Sequence, residues 1–362
     1  MTGAHIGRAD TDVYKGVGIL LIVLHNYFHW VRPSPGENEF HFNRERTERL
    51  FEGLAREPLE AVNLLLDYFG HYGVQLFVFL SAYGLARAGA SRAVPWLRFM
   101  WQRLAKIYPV FLVAIAAHFL FVVTPWNPDA AWFAKVYLLK LSSLSAFVPD
   151  MSFALVGPWW FFAFIVQFYA VFPLLQAAAS GYGTPALVGI GALGFVATLL
   201  FNPWLHDWGL NLYVTVVGHL PVLCLGLWFA RADDVRVPAP VAALAAALFV
   251  AALWSHAAWW LAPLCVTLVL LYVMPHAARL LAAWPVGQRF VRYCGAVSLP
   301  LFAMHGMLRT PFTEAANDRG QWWFALLAAV AFVAASLAVA QLVHWAVGGG
   351  RGLATRRGAM GR

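Results

Sequence analysis

Charge is what this chain has least of. Only 12% of its 362 residues are Asp, Glu, Lys or Arg, against about 25% in soluble domains, and that shortage excludes an ordinary water-soluble globule. Lysine is nearly missing, with 4 against 21 arginines, a bias that suggests a GC-rich bacterial gene. Cysteine is scarce as well. Cys224, Cys265 and Cys294 lie within or beside apolar runs and lack the paired spacing of metal or redox motifs, so they read as small packing residues and no metal is expected. No small-residue cleavage site follows the first apolar run near Val13, so that run is expected to be a retained helix rather than a signal peptide. Internal repeats of the transporter kind are not visible.

What is present is hydrophobic length. Apolar residues make up 61% of the chain, in runs that reach the roughly 20 residues a helix needs to cross a hydrocarbon core. Candidate spans are 13 to 31, 70 to 88, 107 to 124, 156 to 178, 185 to 201, 212 to 230, 238 to 254, 258 to 275, 294 to 311 and 322 to 346. The expected fold is therefore all-α, a polytopic membrane helix bundle with about ten transmembrane helices. One transmembrane domain over residues 1–346 and a Gly- and Arg-rich tail over 347–362, basic, cytoplasmic and disordered, complete the expected organisation.

Orientation follows from where the few charges lie. With a cytoplasmic N-terminus, the inner segments hold 16 basic and 4 acidic residues, net +12, and the outer segments 9 and 13, net −4. Positive residues concentrate on the cytoplasmic side, so both termini are placed there. The stretch from Arg87 to Lys106 carries Arg87, Arg92, Arg98, Arg103 and Lys106 without one acid. Read this way, the overall charge of +8 marks topology, and no nucleic-acid partner is expected. The longest loop, 32–69, sets apolar Leu50, Phe51, Leu54, Leu59, Val62 and Leu65 at helical spacing, which predicts an external amphipathic helix.

Polar side chains inside spans are costly and mark function by default. His25, His118 and His305 each lie 11 or 12 residues into a span, about 16 to 18 Å from the cytoplasmic edge. His118, alone in an apolar run, reads as a packing residue. His25 has a richer setting, with Asn26 next to it and His29 one turn on.

Wording along the chain carries a resemblance. "DVYKGVGILLIVLHNYFH" at Asp12–His29 resembles the first helix of the acyltransferase type 3 family. "GVQLFVFLSAYGL" at Gly73–Leu85, "RLAKIYP" at Arg103–Pro109, "WWFFAFIVQFYAVFPLL" at Trp159–Leu175 and "VSLPLFAMHG" at Val297–Gly306 are similar to four further family segments in the same order. Several positions depart from the pattern. Lys15 stands 10 rather than 11 before His25, Tyr14 holds the usual basic place, Gln75 replaces an acid, Lys106 replaces an arginine and Val166 replaces a glutamate.

The resemblance implies a ten-helix enzyme of the bacterial plasma (inner) membrane. It would move an acyl group, usually acetyl, from cytoplasmic acyl-CoA to a hydroxyl of an envelope, exopolysaccharide or lipid-linked glycan. Acetyl-CoA would be the acyl donor, with glycan and membrane lipids as partners. On that reading His25 is the general base and Asn26 its orienter or an oxyanion donor, with His305 and Tyr169 a second proton-handling or substrate-binding pair. Lys15, Arg103 and Lys106 would take the phosphates of the donor at the cytoplasmic mouth. Two other classes stay open: a transporter or flippase of a lipid-linked glycan, with Trp126, Trp132, Trp204 and Trp208 stacking sugars, and a non-catalytic membrane assembly protein.

Overall fold

The computed structural model describes residues 6–89, 94–123, 129–232 and 236–359, so Arg92 and Trp126 lie outside the described residues. The fold is 84% helix, without a strand among the described residues. The first helix, α1 (Arg8–Phe28), runs through the middle of the molecule and buries Val13, Ile19, Ile22, Val23, Tyr27 and Phe28. The apolar stretch 13–31 is thus helical only to Phe28, and His29 caps it.

The loop 32–69 holds two helices where one was predicted. α2 (Arg44–Arg56) opens on Asn43, whose side chain accepts the Glu45 amide, and α3 (Ala61–Phe69) follows after a break. Pro58 supplies the reason: it lacks an N–H and pushes the residue before it out of helical geometry, and Glu57 has φ −130° and ψ 64°. Leu50 and Leu64 are buried with Tyr68 against Leu253. Leu59, Val62 and Leu65 stay exposed.

A short turn then leads into α4 (Gly73–Gly89), followed by α5 (Trp96–His118) and α6 (Ala130–Leu141). α7 (Trp160–Asp207) covers two predicted spans and bends at Gly183, whose φ of +67° an L side chain rarely adopts. α8 (Val216–Arg231), α9 (Ala239–Trp254), α10 (His256–Trp259) and α11 (Ala262–Ala282) succeed it. The last predicted stretches become α12 (Pro285–Ala296), α13 (Ser298–Leu308), α14 (Thr310–Arg319) and α15 (Trp322–Ala359).

Four helical stretches are long and apolar enough to cross a membrane among the described residues: Trp96–Phe121, Gly157–Asp207, Ala262–Ala282 and Trp322–Gly348. α8, α9 and α13 are apolar but shorter. On the long helices, Leu97 of α5 and Leu174 and Leu193 of α7 are about 70% exposed, as side chains that meet lipid rather than water would be.

Inside the bundle, aromatic contacts fix the helix beginnings. Trp159, fully buried just before α7, donates its indole N–H to the Ala303 carbonyl of α13 at 2.9 Å. Phe111 of α5 stacks on Phe162 of α7 with ring centres 4.0 Å apart. These contacts lock α5, α7 and α13 together beside α1.

Candidate active site

The site is built where the backbone of the α3–α4 turn meets α1 at a distance only glycine permits. A Cβ on Gly70 would stand 2.7 Å from both the His25 Cβ and the Leu21 carbonyl, and one on Gly73 would stand 2.4 Å from the Gly18 carbonyl. Such distances are shorter than real Cβ contacts, so larger residues would push the turn away. Because it can sit this close, the turn lays Asp67 and His71 directly over His25.

His25 is buried, and its Nδ1 is 2.6 Å from the backbone oxygen of Asp67. A carbonyl oxygen can only accept, so Nδ1 carries the hydrogen; in the neutral ring, Nε2 is therefore the basic nitrogen. His29 and His71 flank the ring, with centres 5.5 and 5.4 Å away. Asn26 donates to the Ile22 carbonyl at 3.0 Å through Nδ2, which leaves its second N–H for another partner.

Asp67 also works through its side chain. Its carboxylate is fully buried, accepts from Ser34 Oγ at 2.6 Å through Oδ2, and meets His29 Nδ1 at 2.9 Å through Oδ1. Glu37 approaches the same His29 nitrogen at 3.4 Å. Burial alone would lower the pKa of His29, which lies beyond the last turn of α1, but the Asp67 hydrogen bond and the Glu37 and Asp67 charges outweigh it and raise the value. Glu39, in the same loop, has its carboxyl pushed well above the usual range, first by burial and then by the Glu37 charge.

His25, Asn26, His29, His71, Glu39 and Arg309 line a cavity of about 330 Å³, with Trp160 and Phe302 among its apolar walls. This volume lies near the lower end of ordinary small-molecule sites. Arg309 stacks over Trp30 at 4.5 Å at its edge.

The other predicted residues are distributed unevenly. His305 is fully buried behind Phe302, with Nδ1 hydrogen-bonded to the Leu301 and Phe302 carbonyls at 3.1 and 3.0 Å and Nε2 without a partner among the described residues. Tyr169 is not brought to it: Phe162, which meets Phe302, precedes Tyr169 by seven residues on α7, about 10 Å of helix. Tyr169 instead packs against Phe99, within electrostatic reach of Arg103.

Of the three cations, Lys15 is half-buried on α1, Arg103 is half-buried and stacked over Phe99 at 5.2 Å, and Lys106 is exposed on α5. His118 bonds the Tyr137 hydroxyl at 2.8 Å and lies against Trp159, the environment of a packing histidine. A larger cavity of about 610 Å³ lies toward the other end of α1, lined by Asp10, Tyr14, Arg236, Arg279, Gln288 and Arg292.

Asp67, His71, Glu39 and Arg309 were not legible as site residues in the sequence. The one signal available was Asp67, the single aspartate among seven glutamates in the loop.

The family model of the acyltransferase domain matches residues 8–345. The chain belongs to the acyltransferase type 3 family. No curated protein and no solved structure matches it. Membership supports membrane acyltransferase activity in general, and the cavity beside α3 is lined by a buried imidazole, His25, whose Nδ1 hydrogen is committed to the Asp67 carbonyl. Acyl transfer to a hydroxyl calls for a proton acceptor, because the oxygen attacks an acyl carbon only as it gives up its proton.

Proposed function

We propose that this acyltransferase moves an acetyl group from cytoplasmic acetyl-CoA to a hydroxyl of an envelope or exopolysaccharide sugar across the bacterial plasma membrane. About ten crossings, with both ends in the cytoplasm, are part of this proposal and rest on the unequal distribution of charge, +12 against −4. The observation that carries the reading is the His25–Asp67 bond, which leaves a basic Nε2 on a residue that lines the cavity.

In this mechanism Nε2 of His25 takes the proton of the acceptor hydroxyl as its oxygen bonds to the thioester carbon. Asn26, with one N–H uncommitted, steadies the attacking group. Collapse of the tetrahedral species breaks the C–S bond, and the departing thiolate takes the proton back from His25. Lys15, Arg103 and Lys106 neutralise the phosphates of the donor, Tyr169 stands beside Arg103 at that end, and His305 backs Phe302 of the cavity wall.

The test is transfer of label from radioactive acetyl-CoA to envelope polysaccharide in membranes from a deletion strain supplied with the wild-type or the His25→Ala protein. Label should appear with the first and vanish with the second at equal protein level. Equal labelling would end the role given to His25. Mass analysis of polysaccharide from the deletion strain should show a missing acetyl group, whereas loss of the whole glycan from the cell surface would favour the flippase reading.

A further inference from the structure

The two histidines at the end of α1 are one helical turn apart, yet their Nδ1 atoms face different partners. His25 is tied to a neutral carbonyl, and His29 sits between two carboxylates, Asp67 at 2.9 Å and Glu37 at 3.4 Å. Both line the same cavity. Paired titratable groups held in unlike surroundings take up opposite roles in acid–base catalysis. We propose that His29 is a second catalytic residue, an imidazolium whose Nε2–H stabilises the oxyanion formed on the acyl carbonyl, and that Asp67 is the positioning residue which keeps it charged and aimed.

This inference rests on the acyl-transfer reading above. With Nδ1 engaged by the carboxylates, the remaining N–H of the His29 cation is directed away from Asp67. The ring centres of His25 and His29 are 5.5 Å apart. Because both rings also line one cavity, a base and a donor can address neighbouring oxygens of a single bound substrate.

The acceptor O–H gives its proton to His25 Nε2 and its oxygen forms a bond to the thioester carbon. The C=O π pair moves onto oxygen, which accepts a hydrogen bond from His29 Nε2–H. The C=O then re-forms, the C–S bond breaks, and the thiolate leaves with the proton from His25. His29 keeps its proton throughout. Other groups facing His29 are Arg309, which opposes its charge, and the imidazoles of His25 and His71.

Full-length protein in deletion-strain membranes, with labelled acetyl-CoA and the strain's own polysaccharide as acceptor, provides the test. His29→Gln should lower kcat roughly a hundredfold to a thousandfold with KM for acetyl-CoA within about twofold, the loss seen when one oxyanion donor is removed. The wild-type rate should fall at high pH as His29 loses its proton. Asp67→Asn and the milder Glu37→Gln should each move that alkaline limb to lower pH, because each removes a charge that holds the proton on.

A purely structural Asp67 would reduce the rate at every pH alike and leave the limb in place. That result, or a His29→Gln protein with wild-type kcat, overturns the proposal. If Asp67→Asn fails to accumulate, Glu37→Gln decides by the same limb. A wild-type protein that transfers no label overturns the acyl-transfer reading itself, whereas transfer with unaltered His29 variants overturns this inference alone.

Discussion

The backbone oxygen of Asp67 lies 2.6 Å from Nδ1 of His25, 42 residues away in the chain. This bond fixes which ring nitrogen of His25 is left to accept a proton, and the Asp67 side chain is not needed to make it. Substitution of the Asp67 carboxylate therefore leaves the tautomer of His25 in place while changing His29.

The bond depends on how closely the α3–α4 turn can approach α1. Gly70→Ala puts a methyl 2.7 Å from the His25 Cβ, so the turn must move. A misplacement of about 1 Å costs on the order of a hundredfold in rate. Transfer activity should drop by about that factor, with a much smaller change in melting temperature. A variant with wild-type activity would show that the close approach does not position the base.

Arg103 and Lys106 are predicted to contribute unequally to donor binding. Arg103 is half-buried with a buried Nε that lacks a hydrogen-bond partner among the described residues, whereas Lys106 is exposed. Calorimetry on purified protein should show Arg103→Ala weakening acetyl-CoA binding more than Lys106→Ala. The difference should shrink as salt is raised. Equal affinity of both variants with wild type would remove the phosphate assignment.

Lys140 offers a pH signature away from the site. It is 1% exposed and donates to the Ser152 carbonyl at 2.6 Å, and burial lowers its pKa to about 7. An unfolded lysine titrates near 10.4. Between these values the unfolded chain binds the extra proton, so the contribution of Lys140 to stability rises with pH from about 7 to about 10 and is lost as pH falls through 7. Lys140→Met should flatten that rise in melting temperature between pH 7 and 9. An identical slope in wild type and variant would contradict the assignment.

Orientation can be read with single cysteines, since Cys224, Cys265 and Cys294 are all buried. Glu52→Cys on α2 should react with an impermeant maleimide added to intact spheroplasts, and Arg289→Cys on α12 should react only after the membrane is opened. Both side chains are exposed. The reverse pattern would invert the proposed topology.

Much was legible without the structure because hydropathy and helical period are local. Scarce charge, long apolar runs and the motif around His25 and Asn26 were enough to establish an all-helical membrane protein of the acyltransferase type 3 family. Pro58 was also in view, yet apolar residues at helical spacing on both sides of it suggested one helix over 32–69. The missing N–H and the restriction on Glu57 break it in two.

Partnership across the chain was beyond a sequence reading. Tyr169 and His305 both sit in family-like segments, but the rise of α7 carries Tyr169 toward Arg103 while His305 stays behind Phe302. Asp67 looked like one more acid in a charged loop. The sequence by itself determined the all-helical class and the family. Only the tertiary structure decided that a glycine-permitted turn would place Asp67 between His25 and His29, because that contact depends on how two backbones pack and not on any period along one of them.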